Sequence, residues 1–521
     1  MQWSVGKIIS KWAMLTPEKA AIIYEDERIS YRSLNDAANQ VAHFFTGKGL
    51  KKGDRVAVNL FNCPEFLACY FAAAKLGLIF VPLNFRMVSR ELAYQLNSCG
   101  CRLLVFHDET QDEVALIRSS VSVEADKFVW LPSFETNFDG PPEWAMDYHA
   151  SIGGYPTTEP TPDAPVDLDD PLLILYTSGV TGDPKGAVIS HGQTYFKSFQ
   201  YIILADMRGD DIFLSQAPLC HSAGLAVTAT PGLCRGVTLL MRKKFDAEQF
   251  GKDIETYRAT IVFGLTTMFR FVLETGVLDR IDLNSVRVVL GGGERTPATL
   301  FNALAEKGLY LQMGFGQTEN SGMTSVPKEF VLSKKGSCGL PNFFTEVWVE
   351  DDQGDRLSPG EIGNIVASGP NVMTGYWNMP EETAATIVNG KLFTGDLGYT
   401  DEEGFLYIAD RAKDMYRSGA ENVYPAEVER VLGDHKKIEN VAIIGVPDER
   451  WGETGKAFIV CKENETLTQE EVLGFLKGKV ARYKYPKHIE FIESLPLTAW
   501  GKVKKGALKR SFLQEGERCL K

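Results

Sequence analysis

The sequence predicts an α/β protein with a large N-terminal domain and a small C-terminal domain. Short apolar segments alternate with helical patterns over roughly the first 340 residues, which is typical of largely parallel sheets. After Gly336 the pattern changes to short strands separated by Gly- and Asp-rich turns. At 521 residues the chain is also too long for one compact core, so we expect two or more domains.

The N-terminal domain is predicted to span 1–410 and to contain two α/β layers, at 1–165 and 166–340. A proline-rich connector at 156–165 separates the two layers. A helical pattern covers 31–45, and a buried helix followed by a strand is expected within 66–83. The apolar segments that predict strands lie at 55–60, 79–83, 102–106, 261–263, 286–290 and 309–313.

A small antiparallel sheet or β-barrel is predicted at 341–410, from short strands between Gly- and Asp-rich turns. The last part of the chain, 411–521, mixes helix and strand and is predicted to be a separate α+β domain. We place the boundary between the two domains at 410–414.

Composition excludes several classes of function. Lys+Arg number 55 and Asp+Glu 68, a net charge of −13, which argues against nucleic acid as a main partner. The nine cysteines show no regular framework and the N-terminus lacks the pattern of a secretory signal, so a reducing cytoplasm is expected. No transmembrane anchor is predicted, because the most apolar segment carries a lysine, a glycine and a proline.

A loop with phosphate-binding chemistry follows the apolar segment 171–175. It reads Tyr-Thr-Ser-Gly-Val-Thr-Gly-Asp-Pro-Lys-Gly-Ala from 176 to 187. Glycines allow the backbone to approach an anion, hydroxyls donate hydrogen bonds, and one lysine supplies positive charge. The residues of this kind are Thr177, Ser178, Gly179, Thr181, Gly182, Lys185 and Gly186. The G-x-x-x-x-G-K-[ST] pattern of the P-loop is absent.

This loop resembles the signature of the adenylate-forming superfamily, which contains acyl-CoA synthetases, stand-alone adenylation domains and firefly luciferases. Further motifs follow in the order typical of that superfamily, so the resemblance spans nearly the whole chain. They are the segments 217–221 (APLCH), 314–319 (GFGQTE), 394–396 (TGD), 410–414 (DRAKD), 419–425 (GAENVYP) and 496–502 (PLTAWGK). Segment 421–429 is most similar to fatty-acyl-CoA and other medium- or long-chain carboxylate–CoA ligases.

The resemblance implies a nucleotide site that joins a carboxylate to the α-phosphate of ATP. Glu319 is then the Mg²⁺ ligand, with Thr318 beside it on a phosphate oxygen. Asp396 and Arg411 hold the ribose hydroxyls, which suits the bonding capacity of a carboxylate and a guanidinium. Phe315 would lie against adenine. The other wall of the purine site would be formed by Gly292, Gly293 and Glu294.

The same resemblance implies that the C-terminal domain takes part in both half-reactions. Lys502 is the implied catalytic lysine, which contacts the substrate carboxylate and the α-phosphate. Lys413 is the implied hinge about which a mobile C-terminal domain rotates between two poses. The implied CoA-binding residues are Gly419, Ala420, Glu421, Trp451, Tyr483 and Lys487.

Two residues concern the specificity for the carboxylic acid substrate. His221 would sit beside the acyl pocket, near the carboxylate, without acting as a general base. Gly316 stands where acetate-specific relatives carry tryptophan, so the resemblance implies a pocket open beyond two carbons. Val180, Leu497 and Lys505 differ from the usual residues of the family motifs.

The predicted function is therefore an ATP-dependent carboxylic acid–CoA ligase that uses Mg²⁺ and acts on a medium- or long-chain or cyclic acid. An aryl-acid–CoA ligase and an adenylation enzyme that loads a carrier protein are the alternatives. A luciferase-like oxygenase shares the same first step, whereas a non-catalytic binding protein would not need the catalytic residues together. The sequence leaves open a homodimer and peripheral contact with a membrane.

Overall fold

The computed structural model describes residues 3–133, 140–177, 184–293, 296–411, 414–418, 421–448, 452–477, 479–480, 482–497 and 503–519. Within these ranges, the side chains of residues 410, 411, 417, 421, 422, 452, 483 and 513–519 are not described.

The N-terminal part alternates helices and strands, as predicted. Its helices are α1 (Lys7–Leu15), α2 (Tyr31–Gly47), α3 (Pro64–Leu76), α4 (Ser89–Cys99), α5 (Gln111–Ile117), α6 (Tyr148–Ile152), α7 (His191–Leu204), α8 (Thr230–Arg235), α9 (Ala247–Tyr257), α10 (Thr266–Glu274), α11 (Ala298–Glu306) and α12 (Pro380–Thr386). A π-helix, Ala223–Ala229, leads directly into α8. Short 3-10 helices lie at Asp108–Thr110, Val277–Asp279 and Lys328–Phe330.

The strands of the same part form three sheets. They are β1 (Ala20–Tyr24), β2 (Glu27–Ser30), β3 (Arg55–Asn59), β4 (Ile79–Pro82), β5 (Leu103–His107), β6 (Phe128–Leu131), β7 (Met146–Asp147), β8 (Pro171–Thr177), β9 (Lys185–Ser190), β10 (Ile212–Ser215), β11 (Thr238–Met241), β12 (Ile261–Leu265), β13 (Val288–Gly292), β14 (Leu311–Phe315), β15 (Thr324–Ser325), β16 (Leu340–Pro341), β17 (Glu346–Glu350), β18 (Gly363–Ser368), β19 (Gly375–Tyr376), β20 (Ile387–Val388), β21 (Lys391–Thr400) and β22 (Leu406–Arg411).

The two large sheets exchange strands across the predicted boundary at 165/166. One sheet has the order β19-β9-β8-β4-β3-β5-β6-β7, and the other β16-β15-β14-β13-β12-β10-β11-β1-β2. Strands β1 and β2 therefore belong to the second sheet, and β8 and β9 to the first, which corrects the expectation of one sheet per segment. An apolar strand is stable in the sheet that buries its faces. Ile22 of β1 is fully buried and lies opposite Leu239 of β11, so β1 belongs to the second sheet.

The predicted buried helix and strand within 66–83 are confirmed as α3 and β4. Pro64 opens α3 at a position that needs no backbone N–H donor, and Gly77 ends it with a φ of 70°. Every residue of α3 from Phe66 to Leu76 is buried, because the helix is covered by its neighbours on all sides. No helix in the described part of the chain is both long and apolar enough to cross a membrane.

The segment 341–410 forms a small antiparallel sheet. Its order is β17-β18-β21-β20, with β22 also paired to β21. Among the described residues these strand pairs form a sheet and do not close on themselves. Its small core contains Val349, Ile365 and Leu406, with Phe315 packed against them.

The C-terminal part has its own sheet and its own core. Its elements are β23 (Tyr416–Ser418), β24 (Glu421–Val423), α13 (Pro425–Gly433), β25 (Ile438–Asp448), β26 (Gly452–Cys461), α14 (Gln469–Leu476), a 3-10 helix (Arg482–Lys484), β27 (His488–Phe491) and α15 (Lys505–Cys519). The sheet has the order β24-β23-β26-β25, with β27 parallel to β26. A cluster that includes Val428, Ile443 and Leu476 packs α13 and α14 against it.

Candidate active site

The predicted phosphate loop connects two antiparallel strands. Thr177 ends β8 and pairs with Lys185, which begins β9, and the Thr177 hydroxyl donates to the Lys185 carbonyl at 3.4 Å. The hairpin geometry thus places the predicted cation at the base of the loop, beside a hydroxyl. The remaining predicted loop residues, Ser178, Gly179, Thr181 and Gly182, lie outside the described residues.

The predicted purine wall lies at the carboxyl ends of two parallel strands. Gly292 at the end of β13 pairs with Gly314 of β14, one residue before Phe315. A Cβ on Gly292 would lie 3.0 Å from the Gly314 carbonyl oxygen, so the two backbones approach closely here. Ligands of open α/β sheets bind outside such strand ends. Gly293 follows with a φ of 91°, whereas Glu294 is outside the described residues.

Glu319, the predicted metal ligand, lies in a hydrogen-bonded setting 9% exposed to solvent. Its Oε1 accepts a hydrogen bond of 2.7 Å from the Tyr376 hydroxyl, and Lys185 Nζ lies 5.4 Å from the centroid of the Tyr376 ring. Burial, and then the negative charge of Glu319, raises the pKa of Tyr376, so the phenol stays a donor. Tyr376 therefore connects the phosphate hairpin to Glu319, and half-buried Thr318 directly precedes that carboxylate.

The predicted ribose pair is brought together by the small sheet. Asp396 of β21 lies opposite Arg411 of β22 in an antiparallel register, although the Arg411 side chain is not described. Asp396 is 5% exposed, and its Oδ2 accepts from the Gln317 side chain at 2.8 Å. The Gln317 amide also donates to the Thr394 carbonyl at 2.7 Å. The segment that carries Glu319 is thereby fixed to the strand that carries Asp396.

His221 lies just before the π-helix Ala223–Ala229, an element that is rare and frequent at functional sites. The His221 carbonyl accepts from Leu225 N at 2.9 Å. Burial, and to a smaller degree the charge of Arg86, lowers the pKa of His221 to about 3. The imidazole is therefore neutral at neutral pH.

Gly316 lies close to the backbone of Gly322. A Cβ at this position would lie 2.3 Å from Gly322 N and 2.5 Å from Gly322 Cα. Glycine here therefore permits a close approach of two backbone segments. Its place in the acyl pocket stays a prediction.

The C-terminal predictions fall largely outside the described residues. Lys487 is described, and its ammonium already pairs with Asp448 Oδ2 at 2.8 Å. Only the backbone of Glu421 and Tyr483 is described. Outside the described residues altogether are Lys413, Gly419, Ala420, Trp451 and Lys502. The hinge, catalytic-lysine and CoA assignments therefore stay predictions.

The side chains around Glu319 fit a Mg²⁺ ion with one protein ligand better than a metal held by protein ligands alone. Among the residues that the structure describes, no group of three or more His, Cys, Asp or Glu side chains could hold a metal. A single buried carboxylate, here Glu319, is what Mg²⁺ uses when phosphate oxygens and water complete its shell.

Two residues of this site were missed in the sequence. Gln317 stands inside the 314–319 motif but has no role in the sequence-based prediction. Tyr376 lies more than fifty positions after Glu319 and belongs to no motif used above. Its aromatic character alone could not have separated it from the other tyrosines, because only the pairing of β19 with β9 places it beside Lys185.

Comparison with known families matches both parts of the chain. A family model described as AMP-binding enzyme matches residues 9–377. A second model, AMP-binding enzyme C-terminal domain, matches residues 427–502.

Relatives are similar over almost the whole chain. A feruloyl-CoA synthase from Amycolatopsis sp. is 37% identical over 96% of this chain and 97% of its own. An indoleacetate–CoA ligase from Aromatoleum aromaticum is 35% identical over 96% and 97%, respectively. The solved o-succinylbenzoate CoA synthetase from Bacillus subtilis, in complex with its acyl-adenylate intermediate, is 30% identical with a TM-score of 0.87, covering 98% of both chains.

Three observations indicate the same family. They are the order of the motifs, the hydrogen bond from Gln317 of the Glu319 motif to Asp396, and the two family matches. ATP and CoA are substrates of this family's ligases. The chain belongs to the AMP-binding enzyme family and is an AMP-forming acyl-CoA synthetase of the adenylate-forming superfamily.

Proposed function

We propose that this ligase activates a ring-bearing carboxylic acid as its acyl-AMP, with Mg²⁺, and transfers the acyl group to CoA. Three contacts carry the reaction. Lys185 Nζ lies 5.4 Å from the centroid of the Tyr376 ring, and the Tyr376 hydroxyl donates to Glu319. Gln317, two residues before Glu319, donates to Asp396. The ring-bearing substrate is favoured by the named substrates of the relatives, ferulate and indoleacetate.

In this proposal each group has one task. Lys185 neutralises phosphate charge at the base of the hairpin, and Asp396 accepts from the ribose hydroxyls, with Arg411 from the facing strand. Glu319 holds Mg²⁺, which when bound would supply charge neutralisation at the phosphates. Tyr376 keeps the Glu319 carboxylate in place by donating to one of its oxygens. Holding two anions together is the main requirement of the adenylation step.

The C-terminal part, from residue 411 onward, takes part in both steps of the proposed reaction. Lys502 would contact the carboxylate and the α-phosphate during adenylation. Rotation about Lys413 would then bring Gly419, Ala420 and Glu421 to the site, so that one site serves two reactions. For CoA, Trp451, Tyr483 and Lys487 are the proposed contacts. Lys487 would have to exchange its partner Asp448 for a phosphate of CoA.

The test is a substrate panel. Purified protein is incubated with ATP, Mg²⁺ and aryl, alicyclic and straight-chain acids, with and without CoA, and pyrophosphate and acyl-CoA are measured. CoA-dependent thioester with a ring-bearing acid supports the proposal. Thioester confined to straight-chain acids overturns the substrate class, and acyl-AMP without any CoA thioester indicates a carrier protein as acceptor.

A further inference from the structure

Lys197, on α7, is a buried lysine for which the described part of the chain supplies no partner. The residue is 1% exposed, and its Nζ has no hydrogen-bond partner among the described residues. An ammonium taken out of water without a partner costs several kcal/mol. A bound molecule that supplies an acceptor would remove this cost.

The orientation of Lys197 is set by how α7 begins and packs. Ser190 and Gln193 form a reciprocal cap at the start of the helix. Tyr201 lies one turn after Lys197 on the same face, and its hydroxyl packs so closely on Gly322 that a Cβ there would collide with it. The Gln200 amide donates to the Gly322 carbonyl at 2.6 Å. The buried face of α7 therefore lies on the segment 319–322.

Lys197 and Lys185 reach this segment on different elements. Lys185 reaches Glu319 through Tyr376, whereas Lys197 is carried by α7, which packs against the π-helix that follows His221. The charge of Glu319 acts on Lys197, but the two side chains form no ion pair. Two lysines are thus related to one carboxylate, and of the two only Lys185 belongs to the phosphate hairpin.

The same segment buries further donors without acceptors. Asn320 and Ser321 are 0% and 2% exposed, and Asn320 Nδ2 and Ser321 Oγ have no hydrogen-bond partner in the described part of the chain. Buried polar groups are nearly always paired, so these atoms and Lys197 Nζ together form a donor set without its acceptor. Asn371 Oδ1 is a buried acceptor without a partner in the same part of the structure, and its amide nitrogen donates to the Asn320 and Gly322 carbonyls. Lys197 Nζ and Asn320 Nδ2 can only donate, so for these two atoms the missing group is an oxygen acceptor.

We propose that Lys197 is a specificity-determining residue that binds a second acceptor oxygen, a carboxylate or phenolic oxygen, on the acyl part of the substrate. This inference rests on the proposed acid–CoA ligase function and narrows its substrate class to acids with two oxygen-bearing groups. The reacting carboxylate is held by the catalytic groups, and the second oxygen is held by Lys197.

The experiment uses matched acids that differ only in the second group. The cinnamate set is cinnamate, 4-hydroxycinnamate and 4-carboxycinnamate, and the straight-chain set is octanoate and octanedioate. For each acid, kcat/KM of acyl-CoA formation is measured with wild type and with Lys197→Met, which keeps the length but removes the charge. We expect wild type to prefer an oxygen-bearing acid over its hydrocarbon partner by at least about 10-fold, since a site built to hydrogen-bond rejects an analogue that lacks the group.

Lys197→Met should lower kcat/KM about 10-fold or more for the preferred acid and leave its hydrocarbon partner unchanged. Lys75→Met is the matched control, because it removes a buried lysine far along the chain from Glu319 and should leave the preference intact. If Lys197→Met lowers kcat/KM equally for both acids, the proposal is overturned. A raised KM for ATP with every acid also overturns it and would indicate that Lys197 contacts a phosphate.

The wild-type preference decides the question even if Lys197→Met does not fold. A wild type that reacts best with a plain hydrocarbon acid overturns the role of Lys197 while leaving the ligase function intact. Absence of pyrophosphate release and of thioester with every acid would instead remove the proposed function itself, and the inference with it.

Discussion

Two buried lysines of this protein have opposite surroundings. Lys75 Nζ donates to Asn35 Oδ1 and Asn39 Oδ1 at 2.7 and 2.6 Å, and to Ser10 and Glu159 at 2.9 to 3.0 Å. Lys197 Nζ, buried more completely, has no such partner among the described residues.

This difference separates polar groups that stabilise the fold from polar groups that we propose bind a ligand. The cluster around Lys75 ties α1, α2 and α3 to the connector that carries Glu159, and it is complete within the protein. Several polar groups around Glu319 have no partner among the described residues, and we propose that substrates supply these partners. Variants of the first region should therefore change stability, and variants of the second should change rate.

The largest effect is expected at the predicted catalytic lysine. Lys502→Ala removes a donor that stabilises charge in the adenylation step and should slow that step by about 10² to 10³, roughly 3 to 4 kcal/mol. Thioester formation from supplied acyl-AMP should slow much less, and the urea midpoint should not move. Half-reaction kinetics measure both, and equal loss in the two half-reactions would refute the role.

Glu319→Gln should lower kcat by about 10² at fixed Mg²⁺, because an amide is a weaker ligand for a hard cation than a carboxylate. The Mg²⁺ concentration needed for half-maximal rate should rise. Tyr376→Phe, which leaves the carboxylate but removes its donor, should cost only about 10-fold. A larger loss at Tyr376 than at Glu319 would contradict the assignment.

Lys75→Met should lower the free energy of unfolding by about 2 kcal/mol, because two buried amide oxygens lose their donor. Its kcat/KM should equal that of wild type at a temperature where both are folded. Urea unfolding followed by circular dichroism gives the first value. If Lys75→Met had normal stability but lowered activity, the proposed difference between the two regions would be wrong.

The smallest effect is a pH dependence. Burial lowers the pKa of Lys197 from its usual 10.5 to about 7, against the opposing charge of Glu319. Between these values the unfolded state binds more protons, so stability rises with pH as the folded lysine releases its proton above 7. Lys197→Met should therefore be more stable than wild type below pH 7, and this advantage should shrink by about 1 kcal/mol between pH 7 and 8.

Urea midpoints of both proteins at several pH values measure that difference. The tyrosines and cysteines that titrate at high pH occur in both proteins, so they cancel in the comparison. A constant difference from pH 6 to pH 9 would show that Lys197 does not change its protonation in this range.

Much of the architecture could be predicted because it depends on local patterns. The buried helix α3 and strand β4 follow from a continuous apolar run, a proline at the start and a glycine at the end. Glu319 and Asp396 could be singled out because each stands in a family motif, and both are buried in the structure. Sheet membership was not predictable, since β1 fits either sheet by its apolar pattern and only the pairing with β11 selects one.

The sequence by itself determined the alternation of elements, the family motifs and the residue types that the reaction needs. Only the tertiary structure decided that Tyr376 donates to Glu319, that Gln317 donates to Asp396, and that Gly316 lies against the Gly322 backbone. It also decided that Lys197, an ordinary helical lysine, is buried without a partner among the described residues. Burial and pairing depend on which distant segments pack together, and the local sequence carries no record of that packing.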